Sequence, residues 1–150
     1  MKLVVDANVL ISAAIVDGET REILQLGNAT FLAPPELEQE VQSYSSLIAE
    51  KSSLREQDVQ ELIALLFEAI GTVPYGIPDS AMQKARKSIG DEDPDDIPYL
   101  ATAIAVNADG IWSDDSVFDN QSYVQRVPSS LVVSIYQENG LSGNTDIENY

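Results

Sequence analysis

The chain has no cysteine and no histidine. Without cysteine there are no disulfides and no thiolate metal sites, and a reducing, cytoplasmic setting is the expected one. The two absences together remove Ser-His-Asp triads, thiol nucleophiles, histidine acid–base catalysis and HExxH zinc sites. No GxGxxG pattern, Walker loop or internal repeat occurs either. No apolar run approaches the ~18 residues of a membrane span. Asp6 and Asn8 interrupt the apolar N-terminus too early for a secretory signal. Basic residues are few: 8 Lys and Arg stand against 25 Asp and Glu, a net charge of −17. Such a chain repels nucleic acid unless local basic residues or metal ions compensate, because phosphate contacts need cations. Carboxylates, alone or holding a metal, are the leading catalytic tools left.

What is present reads as one α/β domain over residues 1–139, followed by a polar, glycine- and asparagine-rich stretch, 140–150, expected to be a loose tail. Met1–Val5 is a short apolar strand, followed by an apolar helix through Val9, Leu10, Ala13 and Ala14 and a second helical piece from Thr20 to Leu26. Thr30–Ala33 reads as a strand. Pro34-Pro35 opens a helix with Leu37, Val41, Tyr44, Leu47 and Ile48 on one face, and Glu40 falls inside that apolar arc. An acid on the buried side of a helix needs a partner, and no basic residue lies near in sequence. Leu54–Ile70 and Pro78–Ile89 read as further helices, with a possible strand at Thr72-Val73 between them. Tyr123–Val127 reads as a last strand and Ser129–Gln137 as a closing helix. Short strands alternating with helices predict an α/β/α layered fold with a mostly parallel sheet.

The pivotal stretch runs from Asp91 to Asp119. Ile97, Leu100, Ala101, Ile104 and Ala108 mark a helix face. Pro98 fits only the first turn, so Asp95 or Asp96, rather than Asp93, is the expected N-cap. Asn107–Gly110 ends the helix, and Gly110–Ser113 is a short buried strand with Asp114 and Asp115 at its end. Asp6 and Asp115 each follow a buried strand. If those strands are parallel neighbours, the two acids share one rim of the sheet, where ligands bind in such folds. Asp96 heads the helix feeding the second strand. Four carboxylates gathered without a cation raise one another's pKa. An oxygen-loving divalent ion, Mg2+ or Mn2+, offsets that repulsion and suits phosphate substrates. Structural readings stand beside these: Asp6 and Asp96 as helix caps, Asp115 as the start of a turn over Ser116–Asn120, Lys84, Arg86 and Lys87 as a solvated helix face, and Trp112 as core.

Four motifs resemble the PIN-domain family. Met1–Ser12 (MKLVVDANVLIS) is similar to its opening, and Pro35–Val41 (PELEQEV) resembles its second motif with Glu40 in the acidic position. Asp93–Ala103 (DPDDIPYLATA) resembles the third with Asp96 aligned. Ile111–Asp115 (IWSDD) resembles the fourth, where the family has Thr or Ser, any residue, then Asp. The resemblance runs from Met1 to about residue 128. It implies a three-layer α/β/α fold and a metal-dependent ribonuclease holding Mg2+ or Mn2+ on Asp6, Glu40, Asp96 and Asp115, with Asn8 and Ser113 supporting the site by hydrogen bonds. Many relatives are toxins of bacterial toxin–antitoxin pairs, so an antitoxin partner and self-association are expectations too. Asp119 is a candidate extra acid, and Lys84 and Lys87 are candidate RNA contacts. Where relatives often carry basic residues after the fourth motif, this chain has Asp114, Ser116 and Val117. That departure, with the acidity, motivates a second reading: a PIN-fold binding or regulatory module with weakened catalysis. A third, a carboxylate-pair glycosidase, predicts activity that survives EDTA.

Overall fold

A computed structural model describes every residue except Pro74, Tyr75, Asp91, Glu92 and Asn144, and all side chains of the others but that of Asn149. Asp91, with which the pivotal stretch begins, lies outside the described residues. Five strands form one parallel sheet: β1 (Lys2–Val5), β2 (Thr30–Ala33), β3 (Ile70–Thr72), β4 (Gly110–Trp112) and β5 (Arg126–Val127), in the order β3-β2-β1-β4-β5. Leu3, Val4, Val5, Ile111 and Trp112 are fully buried, the run expected of central parallel strands covered on both faces. Each such aliphatic side chain contributes about 1.5–3 kcal/mol by leaving water.

The connections dictate the layers. α1 (Ala7–Ile15) and α2 (Glu19–Leu26) carry the chain from β1 to β2. α3 (Glu36–Ser43), α4 (Ser45–Ser52) and α5 (Glu56–Glu68) carry it on to β3. These helices pack on one another, and α8 (Ser129–Asn139) joins them through α2. α6 (Asp79–Ile89) and α7 (Ile97–Ala105) then cross back past β1 to β4, and α7 lies on β1 and β4. Right-handed crossovers running in opposite directions put the two groups on opposite faces, so the three-layer α/β/α arrangement follows from strand order. Among the described residues no helix is long and apolar enough to cross a membrane.

Several boundaries differ from those read in the sequence. The helix expected across residues 35–48 breaks at Tyr44. The Ser43 hydroxyl donates to the Glu40 carbonyl (2.6 Å), the acceptor that the Tyr44 amide would use in a continuous helix, and that amide turns to Val41 O instead (3.0 Å). The break leaves Tyr44 and Leu47, expected inside, exposed, while Leu37, Val41 and Ile48 are buried. β3 lies at Ile70–Thr72 rather than Thr72-Val73. β5 is only Arg126–Val127 because the Gln121 side chain takes over the preceding backbone: its amide donates to Phe118 O and Val124 O and accepts from Tyr123 N and Val124 N. Residues 140–150, read above as a loose tail, run back to the N-terminal rim of the sheet. There the Asn28 amide donates to Gly143 O (2.7 Å), Thr145 donates to Asn28 (3.1 Å), and Thr145 and Ile147 are buried.

β4 depends on Gly110. A Cβ there would stand 2.5 Å from Val127 Cγ2 and 3.2 Å from Leu3 Cδ2, so both flanking strands would have to give way. Gly110→Ala is expected to cost roughly 1–3 kcal/mol of stability as an overpacked core site. Denaturant unfolding of the two proteins checks this; equal midpoints would mean that the β1–β4–β5 contact is looser than described.

Candidate metal centre

β1 leads away to β2 and β3 on one side, and β4 and β5 lie on the other. The sheet therefore reverses direction between β1 and β4, and the crevice outside their C-terminal ends is the favoured ligand position of such folds. The register Val5↔Trp112 places Asp6 and Ser113 side by side just beyond the strands. The Asp6 amide continues the ladder to Trp112 O (3.0 Å), and the Ser113 amide bonds to Val127 O (3.2 Å). Both backbones are thus fixed before their side chains meet. The Ser113 hydroxyl, itself buried, donates to Asp6 Oδ2 (2.7 Å) and accepts from the Asp115 amide (3.0 Å). One hydroxyl thereby joins two of the four expected acids.

Asp6 and Asp96 occupy helix N-cap positions, at α1 and α7, yet neither side chain makes a capping hydrogen bond. The capping explanation is therefore not realised in the Asp96 carboxylate, while the Ala7 and Asn8 amides at the head of α1 still favour the charged form of Asp6. Asp115 does both jobs: its Oδ1 accepts from Val117 N (3.0 Å), capping the 3-10 turn Ser116–Asp119, and it also stands in the acid cluster. One carboxylate oxygen from each of Asp93, Asp96 and Asp115 lies within 4.8 Å of the other two. Oxygens around one octahedral Mg2+ stand about 3 Å apart when adjacent and about 4 Å when opposite, given ligand distances near 2.1 Å. The trio therefore fits a shared ion after small movements or through its waters. Asp6 and Glu40 lie outside that compact group, but the negative charge of Asp6 bears on both Asp96 and Glu40, and that of Asp115 on Asp6.

The charges that act on Asp6, Glu40 and Asp96 are all negative. Burial raises the Asp6 pKa, the Ser113 hydroxyl and the Ala7 amide dipole oppose it, and the Asp115 charge adds to it. The Asp96 carboxyl is pushed up to about 8, first by burial and then by Asp93, Asp6 and Asp115. Its Oδ2 is buried with no hydrogen-bond partner among the described residues. Glu40 is half-buried and its pKa is also raised, mainly by burial, with Asp6, Asp95 and Glu36 adding to the effect. The Tyr99 hydroxyl, one turn beyond Asp96, lies near Glu40 and lowers that pKa, though the two make no full hydrogen bond. Burial and the Glu40 charge raise the pKa of Tyr99 itself. Glu40 also lines a cleft of about 370 Å³ with Glu36, Gln39, Ser43, Pro94, Asp95 and Pro98. An all-oxygen donor set with an orphaned buried oxygen suits a hard divalent cation and offers nothing to a soft one.

The other expected residues are placed as follows. Asn8 is exposed on the first turn of α1, and its side chain bonds to no described residue. Asp119, the candidate extra acid, is held by Arg126 through both oxygens (2.9 and 3.1 Å), which lowers its pKa. Lys84 and Lys87 are exposed on α6, Lys84 with its ammonium 5.9 Å from the centre of the Tyr123 ring. Trp112 is core: fully buried, near Phe31, with its indole N–H donating to Ser129 Oγ (2.9 Å). Sequence reasoning missed three residues at the site. Asp93 and Asp96 are three apart across the 3-10 turn Pro94–Asp96, a spacing at which side chains eclipse, and that signal was available. Tyr99 repeats the interval. Arg126, whose guanidinium also donates to Ser113 O (3.3 Å), comes from β5, and only strand order brings it here.

Residues 4–123 match the family described as PIN domain. The fold is also similar to a chain of the VapBC2 complex from Rickettsia felis bound to a DNA fragment from their promoter. The TM-score is 0.62 and the identity 14%, covering 85% of this chain and 98% of that one. Likeness at that identity shows a shared fold. No curated protein matches the chain.

A pH dependence follows from Asp96. Its folded pKa of about 8 exceeds the unfolded value of 3.8, so between the two the folded state binds more protons and stability falls as pH rises. In EDTA, thermal melts from pH 4 to about 8 are expected to show a declining midpoint, and Asp96→Asn should reduce the slope. Parallel profiles for the two proteins would mean that Asp96 is not held protonated by its surroundings.

Proposed function

Because this chain belongs to the PIN-domain family, we propose that it is a cytoplasmic, metal-dependent endoribonuclease that hydrolyses RNA phosphodiester bonds. The observation that supports this most is the approach of three carboxylates to within 4.8 Å at the reversal point of the sheet, with the Arg126 guanidinium committed to Asp119. Asp6, Glu40, Asp96 and Asp115 would hold Mg2+ or Mn2+. Such an ion, when bound, would neutralise their charge, attract a phosphodiester oxygen and make water a better nucleophile.

The residues of the chain do the rest. Ser113 orients Asp6 through its hydroxyl and fixes the Asp115 backbone. Asn8, exposed on the first turn of α1, would support the site from its solvent side. Glu40 is the acid of the four that also faces an open cleft. It would accept a proton from an incoming water as the water oxygen bonds to phosphorus and the leaving oxygen departs in line. Tyr99 steadies that carboxylate from the buried side. Lys84 and Lys87 are exposed and would offer phosphate contacts away from the acids. A protein partner also belongs to this reading: a structural neighbour is part of a complex, and an antitoxin encoded beside this chain would be the counterpart here.

One observation favours the second reading, a binding module with weakened catalysis. The net charge is −17 and Arg126 is already paired, so few cations remain to hold RNA if metal binding is weak. A single experiment separates the two. A mixed RNA pool is incubated with the chain in Mn2+, in EDTA, and with Asp96→Asn in Mn2+. The ribonuclease reading expects cleavage in Mn2+ alone and a loss of about 100-fold or more in the variant. Cleavage that persists in EDTA, or that Asp96→Asn leaves unchanged, removes it. Failure to bind Mn2+ at millimolar levels by calorimetry favours the module.

A further inference from the structure

We infer that Asp93, which lies outside the four family acids, is a direct ligand of the divalent cation, so that the ion sits at the Asp93–Asp96–Asp115 end of the site. This rests on reading the site as a divalent-metal centre and specifies where in it the metal binds. Two independent observations support it. The first is distance: the group of oxygens mutually within 4.8 Å includes Asp93 and excludes Asp6 and Glu40. The second is an unsatisfied atom. Asp96 is only 9% exposed, and its Oδ2 is buried without a hydrogen-bond partner among the described residues. A buried carboxylate oxygen without a partner is costly. The charged neighbours acting on Asp96 are Asp93, Asp6 and Asp115, all acids. A cation is the partner such an oxygen lacks.

The partner that the structure gives the Asp93 carboxylate is the Asp96 carboxyl, whose pKa it raises through a hydrogen bond and through its charge. Asp93 sits at the N-cap of the 3-10 turn Pro94–Asp96, but its side chain makes no capping bond, and its contribution to the turn is its backbone carbonyl, which accepts from the Asp96 amide (3.1 Å). Proline follows Asp93 and leads into the 3-10 turn. The chain thus holds an acid beside a buried acid, three residues apart across a tight turn. Asn would keep the shape and remove the charge.

The test is Mn2+ titration of the intact chain by calorimetry, with thermal melts in EDTA and in Mn2+. Four proteins are compared: wild type, Asp93→Asn, Asp93→Glu and Glu148→Gln. Glu148 is exposed beside Met1 and Asn28 at the opposite, N-terminal rim of the sheet, and its substitution carries the same charge change. Asp93→Asn is expected to weaken Mn2+ binding by about tenfold or more and to shrink the Mn2+-induced rise in melting temperature. In EDTA it should melt no lower than wild type, because a repulsion has been removed. Asp93→Glu should recover part of the affinity, and Glu148→Gln should change it by less than about threefold, as for a screened surface charge. An Asp93→Asn variant that binds Mn2+ as tightly as wild type overturns the assignment of Asp93 and leaves the divalent-metal reading standing. A wild-type chain that takes up no Mn2+ removes both.

Discussion

The hydrogen bond from Ser113 to Asp6 is the contact on which the site depends. It exists because β1 and β4 are parallel neighbours in one register, with Val5 opposite Trp112. Shift that register by one residue and Ser113 would face the other layer. The bond is the main favourable polar contact that Asp6 receives, ahead of the Ala7 and Asn8 amides, and it works against burial and the Asp115 charge. Two like charges about 5 Å apart repel by roughly 3 kcal/mol at an effective dielectric of 20. A cluster of this kind persists only because the buried strands and helices around it fix the backbone on which each acid stands. The fold imposes the site on side chains that, left alone, would separate.

Much of this was legible in the sequence, and the legible part has a physical reason. Asp6 and Asp115 follow short apolar strands, and a strand buried on both faces signals its own end when the first acid appears. Glu40 stood out as an acid within an apolar arc. What was not legible depended on side chains that capture backbone groups. Ser43 takes the Glu40 carbonyl and breaks a helix whose periodicity ran on to Ile48. Gln121 occupies the backbone of residues 118–124 and shortens a strand that propensity extended to Tyr123. Neither capture alters hydrophobic spacing, so neither shows in a pattern built on it. Asp93 was passed over because a helix-start rule assigned it no capping role. The tighter 3-10 turn, with its eclipsed i and i+3 side chains, was the relevant geometry. Arg126 was beyond reach, because its place beside β4 is a matter of strand order alone.

The distribution of the few basic residues sharpens the problem of substrate approach. Lys2 donates to the Val106 carbonyl, Arg21 to the Ala13 and Ala14 carbonyls at the end of α1, Arg55 pairs with Asp58, and Arg126 with Asp119. These four of the eight cations are engaged in closing helix ends and neutralising neighbouring acids. Lys84, Arg86 and Lys87 cluster on the exposed face of α6, in the layer opposite to the helix that carries Glu40. An incoming polyanion therefore meets a surface whose long-range field opposes it, and screening weakens that field only beyond about 10 Å at ordinary salt. Attraction has to be local.

This is why the carboxylates and the acidity of the whole chain belong to one argument. A divalent ion bound among acids reverses the sign of the field at one point while the surface around it stays negative. Phosphate is then drawn to that point and to few others, which trades general affinity for RNA against selectivity for the position where chemistry would occur. The same charge pattern offers a broad negative surface to any basic protein partner. On the proposed reading, the approach of a nucleic acid would turn on one small cluster beside β1 and β4, whose residues are held there by strand register and a single tight turn.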